Sequence, residues 1–452
     1  MSKPSKTQIG ISELKKFVVH AALLSLIDPV REEPTRSSFD ENPDSDILGS
    51  QQLRQKFLDS FALICSTSSS GATTASAVCL EWNAPAPAIL RVARNHGLTS
   101  ADLTGLKRVL QILQAVARKE NLSTQAESEI LDLVVELARG RILSIVDKAE
   151  KRGIRESLRL ASSRALTDRA KSEILAEPEF RHWLESCPFT SPSFLQPWTS
   201  PAIVKLVNWA SQARWAYSTQ LQILLGIKQL QKPAWMDNLY KIARYRSAIK
   251  SMVKLAAKQP DIFSQIEIRD VQAPKPLSFF LKNDKAALLS AVKNLVKEDS
   301  GTIMQQLESH LDSHDLEADL YRACRLNLTL HAEMQLVEFY EGHPESVARM
   351  PFIGTSKKAC FLCYRYLLHH PLRLRVSACH QKIYPSWMPP PCNQTSKQWK
   401  SPPFTKVDKE IEQLARTELK TALNVPRRPK NYDSTAGPSL TLTATVSTDK
   451  EP

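Results

Sequence analysis

Apolar residues recur every three or four positions along much of the chain, which is the spacing of one face of an α-helix. Segments 101–119 and 126–148 carry the clearest stripes, and Thr99 with Asp102 forms a capping-box pattern at the start of the first. The apolar positions are Leu103, Leu106, Leu110, Leu113 and Ala117, then Leu131, Val135, Ala138, Ile142 and Ile145. Neither stripe lasts four heptads, so both are interpreted as core-facing sides of packed helices; the alternative is a coiled coil that binds a partner.

Other segments repeat the helical pattern before and just after residue 270. They are 11–27, 52–64, 202–231, 236–258 and 285–297. All but the last precede residue 270, so residues 1–270 are predicted to form an all-α N-terminal region of unknown role. Two polar stretches in it, 31–50 and 66–76, are predicted to be surface loops.

The pattern changes after a predicted linker at residues 270–276. Apolar and polar residues alternate from Cys324 to Leu330, which is typical of a strand with one buried face. The predicted order from there is this strand, a helix that begins near His331, a strand at 352–354, a helix that begins near Cys360 and a strand at 372–376. This alternation predicts an α/β domain.

The predicted organisation of the C-terminal part has three pieces. The α/β domain covers residues 277–400, and a charged helix follows at 401–424. Residues 425–452 are rich in Pro, Ser and Thr, so this tail is predicted to be disordered.

Composition narrows the class of protein. A length of 452 residues suggests two or three domains, and 60 basic against 47 acidic side chains give a net charge of +13, which favours anionic partners. The eight cysteines are sparse, so a reducing compartment, cytoplasmic or nuclear, is expected. No apolar run approaches the roughly 18–20 residues that span a bilayer, and no membrane association is predicted.

Chemistry is concentrated in two short motifs, His331-Ala332-Glu333 and Cys360-Phe361-Leu362-Cys363, with 26 residues between them. Histidine nitrogen and cysteine thiolate suit zinc, and three protein ligands leave a fourth position open, as in catalytic sites. His331 and Glu333 can share a site only if His331 lies just before the helix, because residues two apart in a helix point away from each other. Cys360 and Cys363, three apart, can both face one ion.

Two other interpretations of the motifs stay open. A Cys-x-x-Cys at the start of a helix also describes a thioredoxin-like dithiol redox site, although such a site has no use for His331 or Glu333. Alternatively, Cys379, His380 or Cys392 could add a fourth ligand and close a structural zinc site. We interpret Cys379 and His380 as packing or surface residues instead.

The two motifs resemble those of the zinc-dependent nucleoside, nucleotide and nucleic-acid deaminase superfamily, whose signature is H-x-E followed by P-C-x-x-C. The segment from Gly354 to Cys363, GTSKKACFLC, resembles most closely a group frequent in fungi that carries this core behind a long helical region. Ala359 stands where the signature has proline, and no hairpin is recognised before Cys324 to complete the usual five-stranded sheet.

The resemblance implies a fold, a cofactor and an activity. The fold would be a three-layer α/β/α, cytidine-deaminase-like domain with a mixed sheet. His331, Cys360 and Cys363 would bind Zn²⁺, and Glu333 would be the catalytic proton carrier in a hydrolysis that releases ammonia from a cytosine-like or adenine-like ring. The alternative function is a non-catalytic, zinc-stabilised interaction module.

Charge adds an expectation about the substrate. Nine basic residues and no acidic ones lie between Ser346 and Lys400, with aromatic residues interleaved. This composition fits a nucleobase-containing anionic substrate, including single-stranded nucleic acid, but a basic surface over core aromatics fits it equally well. The sequence identifies no substrate-binding residue.

Overall fold

The computed structural model describes most of the chain. It covers residues 11–31, 33–35, 49–70, 72–82, 86–164, 169–190, 198–227, 232–281, 286–296, 299–347, 350–390, 401–421 and 423. The predicted disordered tail, and Cys392, lie outside these residues. In the described part, no helix has both the length and the apolar character needed to cross a membrane.

Helices make up most of the described structure. They are α1 (Ile11–Ile27), α2 (Ser50–Ile64), α3 (Ser100–Ala117), α4 (Ser123–Lys151), α5 (Ile154–Arg164), α6 (Arg169–Leu175), α7 (Pro178–Glu185), α8 (Ser200–Trp215), α9 (Ser218–Leu225), α10 (Ala234–Lys258), α11 (Pro260–Phe263), α12 (Ala287–Val296), α13 (Ser300–Leu311), α14 (Leu316–Ala323), α15 (Ala332–Gly342), α16 (Phe361–His369) and α17 (Pro402–Thr421). The strands are β1 (Ser76–Glu81), β2 (Ile89–Arg94), β3 (Glu267–Asp270), β4 (Leu277–Phe279), β5 (Leu326–Leu328), β6 (Phe352–Thr355) and β7 (Arg375–Val376).

The helical stripes are core-facing, as predicted. All five stripe positions of α4 are buried, and so are Leu106, Leu110 and Leu113 of α3. Thr99 and Asp102 form the predicted capping box, because each side chain accepts the backbone N–H of the other. The interpretation as packed helices is therefore confirmed.

A mixed five-stranded sheet lies at the centre of the molecule, in the order β3-β2-β1-β6-β7. Strand β1 runs antiparallel to both β2 and β6, while β2 with β3 and β6 with β7 are parallel pairs. Strands β4 and β5 form a separate antiparallel pair.

The sheet separates two apolar cores. In β1, Val78 and Leu80 face a core built with α2, α3, α4 and α10, while Ala77 and Cys79 face a second core built with α1, α15, α16 and α17. This is a three-layer α/β/α arrangement behind a mainly helical N-terminal region, so the predicted fold class is confirmed.

The boundary predicted at residue 270 needs a correction. Strands β1, β2 and β3 all come from the region predicted to be all-α, and β1 and β2 form the hairpin that the sequence did not reveal. All six residues of β1 are buried, since both faces of the sheet are covered. Such a strand has no alternation of apolar and polar positions, and a short apolar run does not distinguish it from a buried helix.

Helix α1 also belongs to the C-terminal part of the structure. Its residues join the second core with those of α17, and Lys16 forms an ion pair with Glu412 at 2.6 Å. Val30, just after α1, forms a β-bridge with Lys382. The α/β layer therefore includes chain segments from both sides of residue 270.

Helix α2 packs unusually close to β6. A Cβ atom on Gly354 would lie 2.1 Å from the carbonyl carbon of Leu58, so a glycine is needed for this approach. One residue further on, the buried Asp59 carboxylate accepts the backbone N–H of Thr355 at 2.8 Å. Helix α2 thus fixes the end of β6, which leads into the Cys-x-x-Cys motif.

Candidate active site

His331 lies immediately before α15, where the sequence places it. It is the N-cap residue, with extended backbone angles (φ −65°, ψ 152°), and Glu333 lies in the first helical turn. The Asn95 side chain accepts the backbone N–H of Ala332 at 2.8 Å, so the end of β2 caps this helix. Because His331 is not yet helical, its side chain and that of Glu333 reach the same cavity.

Cys360 and Cys363 lie at the start of α16. Cys360 is the N-cap residue, and its sulfur accepts the backbone N–H of Cys363 at 3.3 Å. Ala359, which replaces the usual proline, donates its N–H to the carbonyl of Ala378 at 2.9 Å. A proline has no N–H, so this bond is available only because the signature residue is absent.

The three predicted ligand side chains meet. Nδ1 of His331 lies 3.5 Å from the sulfur of Cys360 and 3.4 Å from that of Cys363. Tetrahedral zinc with Zn–S of about 2.3 Å and Zn–N of about 2.0–2.1 Å separates nitrogen from sulfur by about 3.6 Å. The donor types and spacing therefore fit a zinc ion.

No fourth protein ligand closes this group among the residues that the structure describes: the close ligand atoms belong to His331, Cys360 and Cys363. Cys379 is buried, and its sulfur accepts the N–H of Gln381 at 3.3 Å. Nδ1 of His380 accepts the N–H of Lys382 at 3.0 Å. A three-ligand group is the arrangement of catalytic zinc sites.

The two thiols differ in acidity. Burial raises the pKa of Cys360, but hydrogen bonding from Cys363 and the charge of His331 outweigh it and hold this pKa well below its usual value. Burial and the neighbouring Cys360 thiolate raise the pKa of Cys363 well above its usual value. Since zinc binds thiolates, zinc binding at this group would require loss of the Cys363 proton. Trp387 assists by donating its indole N–H to the Cys363 sulfur at 3.3 Å.

Glu333 is a buried carboxyl group beside this cluster, with 9% of its surface exposed. Burial raises its pKa, and the negative charge of Cys360 adds to the shift although His331 opposes it. A raised carboxyl pKa brings the group closer to the pH at which it can both accept and return a proton.

A cavity of about 140 Å³ opens beside the cluster. It is lined by Ala72, Ala75, Ser76, Asn95, His331, Glu333, Ser356, Lys357, Lys358, Cys360, His380, Tyr384 and Ser386. A cavity of about 150 Å³ in another protein accommodates benzene, so this volume suits a six-membered ring.

His380 is buried, as its interpretation as a packing residue predicts, and it also lines this cavity. Because Nδ1 accepts the Lys382 N–H, the ring proton is on Nε2. Burial, followed by the charge of Lys382, lowers the pKa of His380 to about 3 and keeps the ring neutral. Tyr384 packs edge-on against the rings of both His331 and His380. Neither Asn95 nor Tyr384 has a local sequence signal of its role, since each reaches the cavity through long-range packing.

The basic and aromatic residues of segment 346–400 occupy different environments in the structure. Four of the aromatic side chains, those of Phe352, Phe361, Tyr366 and Trp387, are buried in the cores and do not offer faces for base stacking. Arg365 forms two 2.8 Å hydrogen bonds with Glu410, and Lys358 donates to the carbonyl of Thr35. Lys357 and Tyr384 are among the residues that line the cavity. Arg349, Lys397, Trp399 and Lys400 lie outside the described residues.

The mixed sheet, the two helix starts and the His/Cys/Cys group together define a deaminase-like α/β domain. Residues 330–391 match the family model described as OTT_1508-like deaminase, and the match includes His331, Glu333, Cys360 and Cys363. Strands β6 and β7 lie within the matched residues. Strands β1 and β2 belong to the same sheet as β6 and β7 but lie outside the match. Searches of curated proteins and of solved structures gave no significant match. The likeness to a fungal group stays a prediction.

Proposed function

We propose that the protein is a zinc-dependent hydrolytic deaminase that acts on a nucleobase and releases ammonia. One observation carries the proposal: His331, Cys360 and Cys363 form a group that could hold a metal ion, and His331, Cys360 and the buried Glu333 carboxyl line a cavity large enough for a six-membered ring. The deaminase family match over the same residues supports this assignment.

The residues divide the chemistry between them. His331, Cys360 and Cys363 would hold Zn²⁺, which supplies Lewis acidity and so lowers the pKa of the attacking water. Glu333 takes one proton from that water as its oxygen bonds to the ring carbon. The same carboxyl passes that proton to the neighbouring ring nitrogen and then carries the second water proton to the amino group as the C–N bond breaks, so water and the aminated ring give the oxo ring and ammonia. Nε2–H of His380 can donate to a ring nitrogen or carbonyl and orient the base.

Burial argues against the dithiol alternative. Cys360 and Cys363 are 3% and 0% exposed, and thiol–disulfide exchange requires a partner to reach one of the sulfurs. His331 also lies against both sulfurs, as a metal ligand would.

The test compares the full-length protein with Glu333→Gln, which preserves side-chain shape. Metal analysis should find about one zinc ion per molecule in both proteins. Adding Cys360→Ser to either protein should abolish zinc binding. Ammonia release from cytosine and adenine bases, nucleosides and nucleotides should fall by about 10²–10⁴-fold in Glu333→Gln. Equal activity of the two proteins would contradict the proposal, and zinc without ammonia from any substrate would support the interaction module instead.

A further inference from the structure

The backbone holds His380 next to one of the proposed zinc ligands. The N–H of His380 donates to the carbonyl of Ala359 at 3.0 Å. Two residues further along each segment, the N–H of Phe361 donates to the carbonyl of Lys382, also at 3.0 Å. The segment that contains His380 therefore runs alongside Cys360, which lies between Ala359 and Phe361.

The imidazole ring of His380 has a defined orientation. Its Nδ1 accepts the N–H of Lys382 at 3.0 Å, so the proton of the neutral ring is on Nε2. Gln381, between the two, has a left-handed backbone angle (φ 61°), which a non-glycine residue adopts at a cost and which is frequent at active sites. Tyr384 packs against the ring, with 5.4 Å between the ring centroids. Backbone, Nδ1 and ring are thus all restrained.

The Nε2–H group of His380 is the donor that this ring offers to the cavity. His380 is 3% exposed and lines the cavity, and its other nitrogen is bonded to Lys382. In the part of the chain that the structure describes, no protein acceptor forms a hydrogen bond with Nε2. Buried donors need an acceptor, so this group provides a hydrogen bond to a ligand in the cavity.

The amide of Asn95, which lines the same cavity, is already used within the protein. Its oxygen accepts the N–H of Ala332 at 2.8 Å, and its nitrogen donates to the carbonyl of Ala72 at 2.9 Å. Asn95 therefore supports the wall of the cavity, whereas His380 has a donor to spare.

The proposed reaction limits which substrate atom can accept this hydrogen bond. Glu333 exchanges protons with the amino group and with the ring nitrogen next to the reacting carbon, so both of these groups are occupied. In a cytosine ring the next carbon is C2, and its carbonyl oxygen is the acceptor that is left. In an adenine ring the corresponding carbon carries only hydrogen, and the remaining acceptors are N3 and N7.

The volume of the cavity favours the same class of base. It measures about 140 Å³, close to the cavity of about 150 Å³ that holds benzene in another protein. A purine has a five-membered ring fused to the six-membered one and needs more room. Donor and volume are independent observations, and both fit a single ring that carries a carbonyl beside the ring nitrogen.

We propose that His380 determines base specificity: its Nε2–H donates to the C2 carbonyl oxygen of a cytosine-type pyrimidine, which is therefore preferred over adenine. The inference rests on the proposed function, which places the reacting carbon beside Glu333. It assigns the choice of base to a side chain outside the two motifs that carry the metal ligands and the carboxyl.

The test measures binding to the zinc-loaded, full-length Glu333→Gln protein, in which the probes are not consumed. Cytosine has the C2 carbonyl and 4-aminopyrimidine lacks it, while cytidine and adenosine compare the two classes of base. Calorimetry, at a pH where all four probes are neutral, should show cytosine binding at least about tenfold more tightly than 4-aminopyrimidine, because loss of the acceptor leaves a buried donor unpaired. Cytidine should bind more tightly than adenosine.

Two substitutions separate the donor of His380 from its structural role. The amide of asparagine reaches about as far as Nδ1, so His380→Asn preserves an acceptor for the Lys382 N–H but has no group at the position of Nε2. Glutamine places an amide N–H near that position. The preference for cytosine over 4-aminopyrimidine should fall below about threefold in His380→Asn and should recover in His380→Gln. His182→Asn, at an exposed position of α7, is the control and should not change it.

Several outcomes would overturn the inference. They are equal binding of cytosine and 4-aminopyrimidine, tighter binding of adenosine than of cytidine, no detectable binding of cytosine or cytidine, and a preference that survives His380→Asn. The comparison of the two pyrimidines needs no change at His380, so it is decisive even if His380→Asn does not fold. Ammonia release that persists in Glu333→Gln, by contrast, would count only against the proposed reaction.

Discussion

Replacing Gly354 with alanine tests whether α2 is needed to hold β6, the strand that leads into the Cys-x-x-Cys motif. The added Cβ would lie 2.1 Å from the carbonyl carbon of Leu58, 2.4 Å from its oxygen and 2.5 Å from the nitrogen of Asp59. All three atoms are backbone, so no side-chain rotation relieves the overlap. Helix α2 and β6 would have to separate by more than 1 Å to restore ordinary contact at 3.4 Å or more.

The expected loss of stability follows from this overlap. Extra methyl groups in a packed core cost about 1–3 kcal/mol and occasionally more. The upper part of that range is expected, since the Asp59–Thr355 hydrogen bond across the same contact would also be stretched. Because β6 leads into the loop before Cys360, zinc affinity should fall with stability.

Stability is measured by urea unfolding with tryptophan fluorescence as the signal, and zinc affinity is measured by chelator competition. Gly301→Ala is the matched control, because no atom lies within 4 Å of its added Cβ in α13. Alanine is a better helix former than glycine, so this control should gain up to about 1 kcal/mol. If Gly354→Ala unfolds within about 0.5 kcal/mol of the unmodified protein, the contact does not constrain β6 and the reasoning fails.

Two further predictions concern the metal group and the second core. Trp387→Phe preserves a buried ring but removes the N–H that bonds the Cys363 sulfur, so zinc affinity should fall about 10–100-fold; chelator competition that finds no change would show the bond is dispensable. Burial, with help from Lys16, lowers the pKa of His20 to about 4, so the folded protein resists a proton that the unfolded chain accepts. The free energy of unfolding should therefore be fully retained above pH 6.5 and should fall by about 3 kcal/mol in total as the pH drops toward 4. In urea unfolding, the stability of His20→Gln should depend less on pH across this window than that of the unmodified protein.

Local patterns were enough to predict that His331, Cys360 and Cys363 come together. The position of His331 before a helix and the three-residue spacing of Cys360 and Cys363 depend only on nearby backbone geometry, and the structure reproduces both. The buried faces of α3 and α4 could also be predicted, because a helix with one buried face has apolar residues every three or four positions in the sequence.

The alternating segment around Leu326 shows where such patterns mislead. Cys324 caps α14, and the strand is limited to Leu326–Leu328, which pairs with β4 outside the main sheet. A strand of three residues shares its alternation with many irregular segments, so its length and its partner depended on tertiary contacts.

The cavity wall could not be predicted for a related reason. Asn95 reaches it from the end of a hairpin whose strands are covered on both faces. Its position is not marked by spacing, because it lies more than 200 residues before His331, which lines the same cavity. Packing brings them together, and packing of this kind leaves no short-range period in a sequence.

The same packing determines which part of the chain can carry the activity. Strand β6 pairs with β1 on one side, and Ser76 and Ser356 exchange hydrogen bonds at 2.9 and 3.0 Å where the active-site loop begins. A fragment that starts at residue 277 would lack β1, β2 and the Asn95 cap of α15, and it would expose the second core where α1 covers it. Such a fragment would lose the geometry on which zinc binding depends. Strands β1 and β2, Asn95 and α1 are therefore part of the architecture of the candidate site, so deleting the N-terminal region would remove structural support for the site together with any separate role of that region.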